Sequence, residues 1–484
     1  MTLVYPLAVP LLGAALVLLF RDGRKAVRVA LITGGMELLA IGNAVWRIHA
    51  GQVLQTGRYL RADALTSFFL INLGLIFALV LAYSVGYLRH IPQGRFSSPR
   101  WFYALVFLFL FTMTAVYLSA NLGMLWIMVE ATTLASALLV GFYNTEGAVE
   151  AGWKYLIVCT VGIAFALFGT IAFYLAAVRG GMDANMALDW AALVAVAPKL
   201  GQGPELLKLG FVFIAVGYGT KVGFVPMHSW LPDAHAESPS PVSALLSAVL
   251  LNCAMYALLR FDAITARAIG EGFSHTLLLT FGALSIIVAG LLMVVQRDFK
   301  RLLAYSSIEH MGIVAIGVGL GGVLGTYGAL LHAFNHSVAK SLLFFSAGSI
   351  REYFGTLRME RISGMARSLP WTSSALVVGS LAIVGLPPFG LFVSEFMILT
   401  EAFSRSRYAV AVVVLIALSV VFGAMLHHLQ RMLGGNAENL PPRRAPVTEV
   451  ALMAACTACL LILGLRLPAG FADLLQGAVA VLQS

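Results

Sequence analysis

The sequence predicts an all-α polytopic membrane protein of about fourteen transmembrane helices. Three observations carry this. The chain is 60% hydrophobic and only 11% charged, where a soluble domain carries about 25% charged residues. Its mean hydropathy is +0.91. Its apolar runs reach the roughly 20 residues that a helical span needs, and they are too long for barrel strands, which alternate over about 10 residues.

The spans fall near 3–20, 26–46, 64–87, 101–118, 122–142, 154–178, 206–226, 241–260, 276–295, 302–320, 323–349, 372–400, 408–429 and 448–466. The opening stretch lacks a basic segment before its apolar run and is expected to be the first span, not a removable signal. Lys and Arg crowd the odd-numbered connections, as in RDGRK (21–25) and RDFKR (297–301). Basic loops are retained on the cytoplasmic side, so both termini are expected on the outer face of a bacterial or archaeal inner membrane. The net charge of +9 is then a topology signal and calls for no nucleic acid.

Longer connections lie at 179–205 and 433–446, too short for an attached soluble domain. Cys159, Cys253, Cys456 and Cys459 all fall within spans and read as small apolar filler. There is no nucleotide loop, haem attachment motif, zinc signature or iron–sulfur cysteine set. No cofactor, metal or catalytic residue is therefore expected of this chain.

Ionisable side chains inside spans are the informative residues, because each costs about 2.5–3.5 kcal/mol at the bilayer centre and needs a partner, water or a task. Glu130 lies midway along the fifth span and must face protein. Lys221 lies in the seventh, among glycines and just before Pro226, Pro232, Pro239 and Pro241, which should interrupt the helix and turn freed carbonyls toward a cavity.

The eleventh span, LLHAFNHSVAKSLLFF (330–345), places His332, His336 and Lys340 on one helical face. Histidine exchanges protons near neutral pH. The two histidines could instead chelate a metal, but the motif brings no third ligand. In the twelfth span Pro387 and Pro388 interrupt the helix ahead of Glu395. Two interrupted, charge-bearing helices five spans apart are what an inverted duplication would produce. Together these acids and bases form a series able to relay protons through lipid.

GTKVGFVPMHSWLPDAHAESPSPVSALLSA (219–248), HAFNHSVAKSLLFFSAGS (332–349) and GLPPFGLFVSEFMIL (385–399), with the Glu130 span, resemble the antiporter-like, proton-translocating membrane subunits of respiratory complex I, energy-converting hydrogenases and Mrp-type sodium/proton antiporters. GAVEAGWKYLIVCTVGIAFALFGT (147–170) looks most like component F of hydrogenase-4 and formate hydrogenlyase-type complexes. A long lateral helix after the fourteenth span is not expected.

The resemblance implies a three-helix segment at 1–100, two inverted five-helix repeats at 101–263 and 276–430, each with one broken helix, and a terminal span at 431–484. It implies that Glu130 and Lys221 pair in one half-channel, that His332, His336 and Lys340 form a hydrated central axis, and that Glu395 carries protons in the other half. Where relatives place a titratable residue in the eighth span, this chain has Ser247 and Asn252, so water ordered by them, or His228, would have to bridge the gap.

The implied function is redox-driven proton pumping. The implied partners are other antiporter-like and small membrane subunits and a peripheral hydrogenase-like or quinone-reducing arm. A non-conducting anchor, a sodium/proton exchanger subunit and an inorganic-carbon uptake subunit stay open as alternatives.

Overall fold

The structure, a computed structural model, describes residues 2–49, 52–89, 97–201, 204–435, 442–443 and 445–483. Helices α1 (Tyr5–Leu18) and α2 (Gly23–His49) lead into an antiparallel hairpin of β1 (Leu54–Thr56) and β2 (Leu60–Ala62). Then come α3 (Ala64–Tyr87), α4 (Pro99–Leu118), α5 (Leu122–Val140) and α6 (Glu146–Arg179). The expected connection at 179–205 contains a further helix, α7 (Trp190–Leu200).

The seventh span is broken as its prolines predict. α8 (Pro204–Val222) stops one residue after Lys221, the chain crosses 223–230 without a helix, and α9 (Leu231–Glu237) begins at Pro232's turn. α10 (Ser240–Leu245), one π-helical turn (Leu246–Leu250) and α11 (Leu251–Ile269) run on as a single span. α12 (Glu271–Val294), α13 (Phe299–Leu320) and α14 (Gly322–Phe354) follow, then the short α15 (Met365–Ser368). The twelfth span is also two pieces, α16 (Pro370–Ile383) and α17 (Gly390–Ser404), separated by 384–389. α18 (Tyr408–Leu433), α19 (Val447–Leu465) and α20 (Ala469–Gln483) complete the chain. Of the 433–446 connection, residues 436–441 and 444 lie outside the described residues.

Local chemistry sets many of the starts. The side chains of Asp63, Asn121, Thr145, Asp189 and Asp298 accept hydrogen bonds from the first-turn backbone amides of α3, α5, α6, α7 and α13, satisfying donors that a helix start leaves without partners.

Among the described residues, ten helices are long and apolar enough to cross a membrane by length and composition alone. α16 and α17 fall short because the span is broken. α14 spans 33 residues, but its histidines, Asn335 and Lys340 dilute its hydropathy.

Burial separates an inner group from an outer one. Over its most apolar 18 residues the 240–269 span is 100% buried and Phe299–Leu320 94%, against 28% for Val447–Leu465. The inner helices are thus the ones that carry polar residues, and the outer ones turn an apolar face outward, as a bilayer requires. α14 packs against α13, α10, α16 and α17, and α8 against α6 and α11. Both interrupted spans therefore open onto the buried centre.

Candidate functional site: a buried line of acids and bases

The first cluster forms where α5, α6 and α8 meet. Lys221 Nζ is fully buried and donates to Thr133 Oγ1 (2.5 Å) and Tyr155 Oη (3.0 Å). Thr133 Oγ1 donates onward to Glu130 Oε2 (3.2 Å), and Thr160 Oγ1 donates to Glu130 Oε1 (2.7 Å). The acid and the lysine expected to pair are thus joined through one threonine hydroxyl. No direct ion pair connects them among the described residues.

A hydroxyl accepts from one side and donates to the other, so this is a chain along which a proton can be passed. Lysine can reach Tyr155 because α6 and α8 pack at backbone distance: a Cβ on Gly217 would lie 2.4 Å from the Ala166 backbone nitrogen. Glu130 itself is only half-buried and Thr160 is exposed, which puts this end of the cluster at the rim of the chain.

The second cluster is held by α13, α14 and α17. His332, His336 and Lys340 are fully buried on α14. Among the described residues, no hydrogen bond joins the three directly. His310 of α13 stands between the histidines, its ring centroid 5.1 Å from each of theirs, with its Nδ1 2.9 Å from His332 Nε2. His332 Nδ1 lies 3.0 Å from Ser394 Oγ, next to Glu395. Lys340 Nζ donates to the Leu303 carbonyl (2.7 Å).

Glu395 lies just beyond the α16–α17 break. Gly385 within that break has φ +69°, and a Cβ there would collide with Glu395 Oε2. The interruption therefore makes room for the carboxylate.

Between the clusters lie residues that the spacing arguments pass over. Trp230 packs against Tyr155 in a tilted pair (ring centroids 4.7 Å apart) and donates to the Thr220 carbonyl (2.8 Å). His235, fully buried, lies 6.4 Å from Trp230 by ring centroid and is within electrostatic reach of Lys300 and Lys340. Lys300 is fully buried and donates to the Ser238 carbonyl. Glu309 is fully buried and couples electrostatically to Lys340 and to Glu395. Glu309 and His310 carry the same signal as the residues singled out from sequence, an ionisable group in an apolar helix, whereas Lys300 belongs to the basic RDFKR connection and is buried only by the fold. His235 could have been found from its place between two prolines in LPDAHAESP.

The three expected relay residues sit apart from these contacts. Ser247 lies in the π turn, its Oγ 2.7 Å from Ser307 Oγ. Asn252 donates to the Ala248 carbonyl (2.8 Å) and Ser337 Oγ (3.1 Å), and Asn72 of α3 also donates to Ser337 Oγ (3.0 Å). His228 is half-buried in the 223–230 crossing, 6.3 Å by ring centroid from Tyr305. Among the described residues, none of the three hydrogen-bonds to Lys221 or to His332 and His336.

Residues 119–422 match the NADH:quinone oxidoreductase/Mrp antiporter transmembrane family, which covers both clusters and both broken spans. The chain belongs to this family.

Among its members, the chain is 41% identical to a hydrogenase-4 component F homolog of Methylacidiphilum infernorum (isolate V4) over 373 residues, covering 76% of this chain and 78% of the relative. It is 32% identical to NADH-quinone oxidoreductase subunit N of Desulforudis audaxviator (strain MP104C), covering 91% and 88%. A chain of the membrane-bound sulfane sulfur reductase, an archaeal respiratory membrane complex, superposes with a TM-score of 0.89 at 21% identity, covering 100% of this chain and 98% of that one. The family's membrane fold is thus shared along the full length, and the protein is an antiporter-like membrane subunit.

Proposed function

We propose that this chain translocates protons as the antiporter-like subunit of a hydrogenase-4-like complex, driven by electron transfer in a peripheral partner arm. Supporting the hydrogenase branch is the similarity to a component F homolog. The observation that carries the conduction reading is the Lys221–Thr133–Glu130 hydrogen-bond chain. An opposite charge nearby favours lysine's charged form. Any movement that lengthens the path to Glu130 therefore lowers the proton affinity of Lys221, and one that closes it raises that affinity. A neighbouring subunit acting at the exposed rim is well placed to make that change.

From Lys221 the proton passes by Tyr155 and the His235 region to the α13–α14–α17 cluster and leaves by Glu395. Buried polar groups need hydrogen-bond partners. Among the described residues, His235 Nε2, Glu309 Oε1, both His336 nitrogens and Glu395 Oε1 have no hydrogen-bond partner, and water is the partner that would also carry protons. The two five-helix units at 101–263 and 276–430 would each contribute one broken helix, and the odd-numbered connections would face the cytoplasm with both termini outside.

The test is proton flux in liposomes holding the whole complex. Glu130→Gln and Lys221→Ala should each abolish pumping while assembly persists; unchanged flux overturns the reading. A second reading, a non-conducting anchor, has one observation in its favour: Asn252 spends its amide group on packing hydrogen bonds between α3, α11 and α14. Undiminished flux in both variants is what that reading expects.

A further inference from the structure

Three helices deliver donor atoms to one buried point. His310 from α13, His332 from α14 and Glu395 from α17 each offer a ligand atom within 4.8 Å of the other two. Both histidines are wholly inaccessible and Glu395 is 5% exposed. Sequence spacing pairs His332 with His336 and finds no third ligand. The fold replaces His336 by His310 and supplies the carboxylate from another element.

The arrangement has the features of a built site. Glu395 Oε1 has no hydrogen-bond partner among the described residues, and His310 Nε2 faces Glu309 Oε2 at 3.3 Å. Ser394 Oγ engages His332 Nδ1 at 3.0 Å, which leaves Nε2 turned toward His310. A ligating histidine is commonly oriented by an oxygen on its far nitrogen in this way. Gly385 leaves the space in which the carboxylate sits. Two imidazoles and one carboxylate, with a fourth position free for water, are a donor set of zinc. Magnesium and calcium take oxygen ligands, and this set is mostly nitrogen.

We propose that His310, His332 and Glu395 form a binding site for a divalent cation of the zinc class, and that an ion held there arrests ion movement past α17. Binding follows from the donor geometry alone. Arrest rests on the conduction reading, because the ion would occupy the lone pairs of His332 and Glu395 that a relay needs.

The experiment titrates Zn²⁺ into the purified whole complex by calorimetry, with bound zinc counted by mass spectrometry, and measures proton flux in liposomes at the same concentrations. His310→Gln and Glu395→Gln should each remove one zinc per copy of this chain. Ser394→Ala, which only frees His332 to turn, should weaken binding about 10-fold and so keeps the test open where a ligand variant fails to assemble. The double variant His427→Gln, His428→Gln, at the neighbouring pair on α18, should bind as the parent does.

Full zinc binding in His310→Gln and Glu395→Gln, or its loss in the α18 double variant alone, overturns the site. Stoichiometric zinc at the site with undiminished flux supports the site and overturns the role of Glu395 in conduction. Arrest in the parent, relieved in Ser394→Ala, supports both.

Discussion

Thr133 is the residue on which the Lys221–Glu130 relation turns, since its hydroxyl touches both. Hydrogen bonds to charged groups contribute about 1.5–3 kcal/mol, and about 1.4 kcal/mol is a tenfold change in rate. Thr133→Val, which keeps the shape and removes the hydroxyl, should lower proton flux about 10-fold or more in proteoliposomes, and Thr133→Ser should restore most of it. Equal flux in all three would mean that acid and lysine communicate by another route.

A structural ion pair gives the contrast. Arg260 donates to both Asp63 oxygens (2.8 and 2.7 Å), and its guanidinium lies 4.2 Å over Trp190. Burial pushes the Asp63 carboxyl up, but the Arg260 charge and its hydrogen bonds prevail and hold it below the usual carboxylate range. A depressed folded value means that the pair stabilises the fold above the unfolded carboxylate value, about pH 3.9, and that this is lost as pH falls through the folded value. Asp63→Asn should therefore cost about 3–5 kcal/mol, seen as a lowered Tm at neutral pH, with the gap from the parent closing only in strong acid.

At this scale the sequence exposes Glu130, Lys221, His332, His336, Lys340 and Glu395, because a charge in an apolar run is costly wherever it stands. The same rule applied evenly reaches Glu309 and His310, but not Lys300, which stands in the basic RDFKR stretch. Thr133 and Tyr155 are different. Neutral hydroxyls are ordinary in membrane helices, and only the packing of α5, α6 and α8 makes these two matter.

The helix pair α6 and α8 sets where Lys221 sits relative to its partners. Small residues let the two backbones approach, with Gly162 facing Thr220, Gly169 facing the Gly210 carbonyl and Gly217 facing Ala166. Such close approach stands in for the hydrophobic drive that lipid removes. Gly217→Ala would push a methyl into the Ala166 backbone, which cannot move without moving α6. It should cost about 1–3 kcal/mol and also impair flux, since Thr220 and Lys221 follow within one turn.

Gly35 and Gly42 of α2 face open space, with no atom within 4 Å of where a Cβ would stand, so Gly35→Ala should be neutral or raise stability by about 0.5–1 kcal/mol. Thermal unfolding of the two variants separates contact from helix propensity. The broken spans are legible because proline leaves a mark. α7 and α20 are not: α7 carries Pro198 inside an 11-residue helix, and α20 has 15 residues, below the length of a span. The π turn at Ser247 has no sequence signature, since an i to i+5 bond requires no special residue.

On the whole molecule, the position of Glu130 has a consequence for assembly. The outward face of α6 is apolar, with Trp153, Ile157, Val161 and Phe168 each 55–60% exposed. Thr160 opens on that same face and donates to the half-buried Glu130. An acid at mid-span facing hydrocarbon would cost about 2.5–3.5 kcal/mol, and two threonine hydroxyls do not replace a water shell. The face around Thr160 is therefore expected to be covered by another membrane subunit in the working complex, which would also give that subunit its hold on the Glu130–Lys221 distance. A photoreactive benzoyl-phenylalanine at position 157 should attach to a protein chain when the whole complex is irradiated, and the same residue at position 39 of α2, where Leu39 is 76% exposed, reports the background from lipid-facing helices. Attachment to lipid alone at position 157 would place Glu130 against the bilayer and leave no neighbour at that rim to drive the lysine.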